Sequence, residues 1–70
     1  MSRHQLNDFV YGFDAPLSQY FLSKGMRQIL GPLSRNYGDN YAMVEALKKA
    51  GIWDKVPEEH RRLIESDLPI

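Results

Sequence analysis

The stretch Phe9-Val10-Tyr11-Gly12-Phe13-Asp14-Ala15-Pro16-Leu17-Ser18-Gln19-Tyr20-Phe21-Leu22-Ser23-Lys24-Gly25 decides the fold, because its chemistry satisfies two incompatible geometries. In the first, Phe9, Tyr11 and Phe13 alternate with Val10 and Gly12 as a strand. Asp14 to Leu17 then form a turn, and Gln19 to Ser23 return as a partner strand. In the second, Asp14 caps a short helix carrying Leu17, Tyr20, Phe21 and Lys24 on one face, and Gly25 ends it. Residues 26–33 admit a further strand or a single helical turn, closed by Gly31 and Pro32 in either case.

The remainder of the chain has one reading. Asp39 caps a helix over residues 39–50 in which Met43, Val44, Leu47 and Ala50 share a face. Glu45 precedes Lys49 by one turn, and Lys48 and Lys49 complement the negative helix end. Gly51 at C′ places Ile52 opposite Leu47 in the contact that accompanies a Schellman turn. A second helix starts at Pro57 as its first helical residue and runs to Asp67, with Val56, His60, Leu63 and Ile64 on its inner face. The short connection Ile52 to Lys55 makes the pair an αα-hairpin.

The run Tyr11-Gly12-Phe13-Asp14-Ala15-Pro16-Leu17, followed by Gln19-Tyr20-Phe21-Leu22, resembles the opening of a group of small uncharacterised bacterial proteins that read Tyr-Gly-Trp-Asp-Arg-Pro-Leu before an apolar strand-like stretch. Downstream, the Ala50-Gly51-Ile52 helix end, the Val56-Pro57 helix start and the closing Asp67 are similar too. Phe13 stands where the group has Trp, and Ala15 where it has Arg. The resemblance covers about half the chain and implies the hairpin reading; it carries no known activity.

Length sets the energetic frame for these 70 residues. A folded chain of this mass exposes roughly 4,500 Å² and buries about 7,200 Å². With about 60% of the buried area apolar, burial contributes on the order of 110 kcal/mol. Ordering the chain costs roughly 105 kcal/mol, so a lone domain is marginal and association would help it. One domain over residues 1–70 is the expectation.

Composition narrows the function classes. With 43% hydrophobic residues and nine basic residues balancing nine acidic ones, the chain is neither disordered nor polybasic. The absence of cysteine excludes disulfides and thiolate zinc sites. No membrane-spanning run and no signal peptide are read, so the expectation is a soluble cytoplasmic protein. No cofactor and no metal site is expected, because His4 and His60 stand alone in sequence. No nucleophile elbow, phosphate loop or paired carboxylates occur, so an enzyme is not expected.

Candidate contact residues come from the aromatic excess and the Gly12-to-Pro16 segment. Tyr11, Phe13, Asp14, Tyr20, Tyr37, Tyr41 and Trp53 are candidates for binding a partner protein, although aromatics are equally the natural core of so small a chain. Lys24, Arg27 and Arg35 lie in a segment, residues 15–38, without a single acidic residue, and are the candidates for nucleic-acid binding. A helical reading of residues 15–33 around a Ser23-Lys24-Gly25 turn would even outline a helix-turn-helix, truncated by Gly31-Pro32.

The resulting expectation is an α+β domain: an N-terminal β-hairpin, with room for a third short strand near residues 26–30, covered by the αα-hairpin. Met43, Val44, Leu47, Leu63 and Ile64 would pack on Phe9, Tyr11, Tyr20 and Leu22. An all-α small bundle is the alternative. The functional expectation is a non-catalytic interaction module, an adaptor, regulator or inhibitor that masks a partner protein. A small nucleic-acid-binding regulator is the alternative, and homodimerisation is compatible with either.

Overall fold

The computed structural model describes residues 2–70, and the hairpin reading holds. Four strands, β1 (His4–Leu6), β2 (Phe9–Asp14), β3 (Gln19–Lys24) and β4 (Arg27–Leu30), form an antiparallel meander in the order β1-β2-β3-β4. Two helices follow, α1 (Asn40–Lys49) and α2 (Glu58–Glu65), joined through a 3₁₀ turn at Trp53–Lys55. The fold is therefore α+β, and the all-α bundle with its helix-turn-helix outline is excluded. Residues 19–24 are extended because alternate side chains meet different surroundings: Tyr20 and Leu22 face the helices while Phe21 faces away.

Strand β1 lies outside the expected hairpin. It pairs His4 with Tyr11 and Leu6 with Phe9 across a turn in which Asn7 adopts φ 53°, a conformation Asn tolerates better than most residues. Ser2 continues the pairing, its amide donating to the Phe13 carbonyl at 3.1 Å. The third strand is present as β4, entered through the two-residue turn Gly25-Met26.

Both helix ends follow their local chemistry. The Asp39 carboxylate accepts from the Ala42 amide at 2.8 Å. At the other end Gly51 has φ +75°, and Ile52 N–H donates to the Leu47 carbonyl at 3.1 Å, which completes the Schellman turn. Pro57 sits one residue earlier than expected: with ψ 141° it is the cap of α2, and Glu58 is the first helical residue. Helix α2 closes with a second Schellman pattern in which Asp67, at φ 58°, takes the place usually held by glycine, and Leu68 N–H donates to the Leu63 carbonyl at 2.8 Å.

One core joins the layers. Tyr11, Tyr20, Leu22 and Leu30 of the sheet pack with Met43, Leu47 and Ile64 of the helices and with Ile52 and Val56 of their connection. Phe9 and Val44 pack against this core from its margin, as expected, but Leu63 does not join it and stays half-buried beside Glu58, Glu59 and Arg62. The accessible surface is 4671 Å², close to the size-scaling value.

The seam between sheet and α1 is backbone on backbone at Gly38. Tyr20 N–H donates to the Gly38 carbonyl at 2.8 Å, and Gly38 N–H donates to Oε1 of Gln19 at 3.0 Å. Any Cβ at this position would fall on the Tyr20 carbonyl oxygen. Glycine is required there by space, and it places Asp39, the cap of α1, directly against β3.

Candidate functional site

The helices cover only one face of the sheet. Strand alternation turns Val10, Gly12 and Asp14 of β2, with Phe21 and Ser23 of β3, onto the opposite face. A cavity of about 490 Å³ opens there. Phe21 forms part of its floor and is buried, and Gly31, at φ +121°, passes so close that a Cβ there would clash with the Phe21 side chain. Around this floor Leu17 is half exposed, Leu33 is 86% exposed and Met26 is fully exposed.

Two charged side chains line the same cavity, Arg3 and Asp14. Asp14 is only 8% exposed, so the turn does not present it on a protruding loop as the sequence reading allowed. Its Oδ1 accepts from the Leu17 amide at 3.3 Å, the local turn bond expected of Asp before Pro16. Among the described residues Arg62–Glu58 is the one ion pair, so Arg3 does not neutralise Asp14 by contact.

The remaining candidate contact residues divide by burial. Tyr11 and Tyr20 are 2% and 1% exposed and belong to the core, so neither offers a partner any surface. Their register puts them on the helix-covered face, which residue type alone could not reveal. Phe13 packs edge-on to Tyr20 with ring centroids 5.0 Å apart. Trp53 lies half-buried with Lys48 and Arg61 over its ring at 5.9 and 6.0 Å, so the protein's own cations occupy it. Tyr37 and Tyr41 are exposed, beside a shallow 880 Å³ depression between β4 and α1 that carries Arg35 and Lys49 against Asp39 and Glu45.

The basic candidates converge in part. Arg27 stands opposite Lys24 at the end of the β3–β4 hairpin, and Arg27 and Arg35 border one depression of about 340 Å³. The Lys24 ammonium lies 5.5 Å from the centre of the ring of Phe9, its cross-strand partner on β2.

His4 and His60, isolated in sequence, touch in space with ring centroids 4.3 Å apart. Burial raises the Tyr11 pKa, so its hydroxyl keeps the proton, and it shares a hydrogen bond of 2.7 Å with Nδ1 of His60. Nε2 of His4 donates to the Ile70 carbonyl at 3.0 Å. The described residues hold no group of three or more metal-ligating side chains, so the pair remains two ligands short of a tetrahedral site.

Burial pushes the His60 pKa below its usual 6.5, the neighbouring His4 lowers it further, and Glu59 opposes both. The unfolded chain therefore binds this proton more readily than the folded one. The contribution of neutral His60 to stability is present above about pH 6.5 and is lost as pH falls through the folded value. Melting temperature is expected to drop between about pH 8 and about pH 5.5, and His60→Gln is expected to flatten that part of the profile. Parallel profiles for the two proteins would contradict the assignment.

No family model, no curated protein and no solved structure matches the chain.

Proposed function

We propose that the protein is a non-catalytic interaction module that binds a partner protein through the open face of its sheet and acts by masking that partner's surface. The observation that supports this reading is the ring of exposed Leu17, Met26 and Leu33 around Val10 and Phe21. Single exposed apolar residues are ordinary, whereas a contiguous apolar patch on a small domain marks a contact surface. A marginal energy balance adds weight, since a partner that binds only the folded state stabilises it by mass action. The cysteine-free composition fits the reducing cytoplasm as the place of action.

The test compares affinity capture from the source cells by the native protein and by Met26→Ser/Leu33→Ser. Both changes lie at exposed positions, so the variant is expected to fold and to lose its captured protein. Equal capture by the two would overturn the assignment to this face. Arg27 and Arg35, sharing one depression, favour nucleic acid as the second reading. The zero net charge and the diversion of Lys24 toward Phe9 weigh against it.

A further inference from the structure

A strip along the outer edge of β4 joins two features that lie apart in the sequence. Ile29, Arg35 and Asn36 border both the depression of about 340 Å³ that holds Arg27 and the larger one of about 880 Å³ that holds Tyr37 and Tyr41. The two hollows are therefore continuous. At one end Arg27 and Arg35 are exposed, and among the described residues neither lies within ion-pair distance of a carboxylate. At the other end Tyr37 and Tyr41 are 62% and 81% exposed, and among the described residues neither ring packs on another ring or under a cation. The acidic residues of the strip stand on its α1 side, where Asp39 is engaged with the Ala42 amide and Glu45 precedes Lys49 by one turn. The chain is neutral as a whole, but residues 15–38, which supply Arg27, Arg35 and Tyr37, contain no acidic residue.

We infer that this strip binds single-stranded nucleic acid, with phosphates against Arg27 and Arg35 and an unpaired base against the rings of Tyr37 and Tyr41. Guanidinium groups bind phosphate through paired N–H donors, and an aromatic face accepts any base by stacking. Arginines alone would suit any polyanion. The two free rings beside them favour a ligand that carries planar groups along its line of charge, which a phosphopeptide lacks and a duplex keeps inside its stack. The inference goes beyond the protein-partner reading: it uses the edge of β4 and not the open face, and either can fail without the other. The zero net charge limits the affinity, so binding is weak and salt-sensitive, with a dissociation constant of about 1–100 µM at low salt.

The experiment follows the fluorescence anisotropy of a labelled single-stranded DNA of about twelve nucleotides as the full chain is added, at about 50 and about 200 mM salt. Binding is expected at the lower salt and is expected to weaken steeply at the higher. Tyr37→Ala/Tyr41→Ala is expected to lose about tenfold in affinity, whereas Tyr37→Phe/Tyr41→Phe keeps it, since stacking needs the ring and not the hydroxyl. Arg27→Ser/Arg35→Ser is expected to lower the slope of log affinity against log salt by about one to two. All four positions are exposed, so the variants are expected to fold, and circular dichroism melts verify it. Met26→Ser/Leu33→Ser is expected to bind the DNA unchanged; loss of binding in that variant would move the contact to the open face and overturn the assignment to this strip. No binding at the lower salt would overturn the inference. So would equal affinity for the duplex of the same sequence, or for the native protein and Tyr37→Ala/Tyr41→Ala. A phosphoserine peptide that displaces the DNA at equal concentration would assign the arginines to a protein ligand and overturn the choice of occupant.

Discussion

Gly38→Ala is expected to destabilise the chain by about 2–4 kcal/mol, a large share of what so small a domain holds. The added methyl would meet the Tyr20 carbonyl oxygen, and the Tyr20 amide lies close as well, so the clash is with backbone on a central strand. Flexible side chains yield to an extra carbon, but paired backbone does not. Relief requires moving Gly38 away from β3, which breaks the Tyr20–Gly38 and Gly38–Gln19 hydrogen bonds and displaces the Asp39 cap. Overpacking costs about 1–3 kcal/mol and a lost cap about 1 kcal/mol more. A domain of this size holds only about 4–10 kcal/mol in total. Urea unfolding followed by circular dichroism measures the loss. A midpoint within error of the native one would show that the seam can shift freely. Gly25→Ala is the informative comparison, because nothing lies within 4 Å of its Cβ position and only the φ of +61° is strained.

Leu47→Ala is expected to destabilise the protein by about 2–5 kcal/mol, the range for emptying a buried leucine site. Leu47 is fully buried where α1 meets the rest of the core, and the eight other residues of that cluster come from both layers and their connection. Collapse around the cavity is resisted from both sides. Leu63→Ala serves as the contrast: the periodicity of α2 ranks Leu63 beside Ile64, but Leu63 is half-buried among charged neighbours and its loss is expected to cost less than about 1 kcal/mol. Equal losses from the two changes would contradict the described core.

Those two leucines show what was legible in the sequence. Helical periodicity identified both helices to within two residues because caps and glycines mark their ends, and the Leu47–Ile52 turn was readable from spacing alone. The hairpin was readable as one of two options. Strand β1 was missed because three residues of mixed polarity carry no alternation, although Asn7-Asp8 just before Phe9 is a turn signal. Tyr11 and Tyr20 were put forward as contacts by residue type, and alternation does separate them from Val10 and Phe21. The expectation that the helices cover the face of Phe9, Tyr11, Tyr20 and Leu22 holds, and it removes both tyrosines from the contact surface. Leu17, Met26 and Leu33 went unnoticed as a set because they come from one turn, a second turn and a loop, and only the sheet brings them to one side. The meeting of His4 and His60 was invisible for the same reason.

The strand order has a consequence for how the protein assembles. Every strand pairs with its sequence neighbour, so the sheet can grow by closing short loops at small entropic cost. The bonds that fasten the last segment span far more chain: Tyr11 to His60, Tyr20 to Leu68 and His4 to Ile70. Residues 60–70 thus act as a clasp that ties the first strand and the middle of the sheet to the end of the second helix.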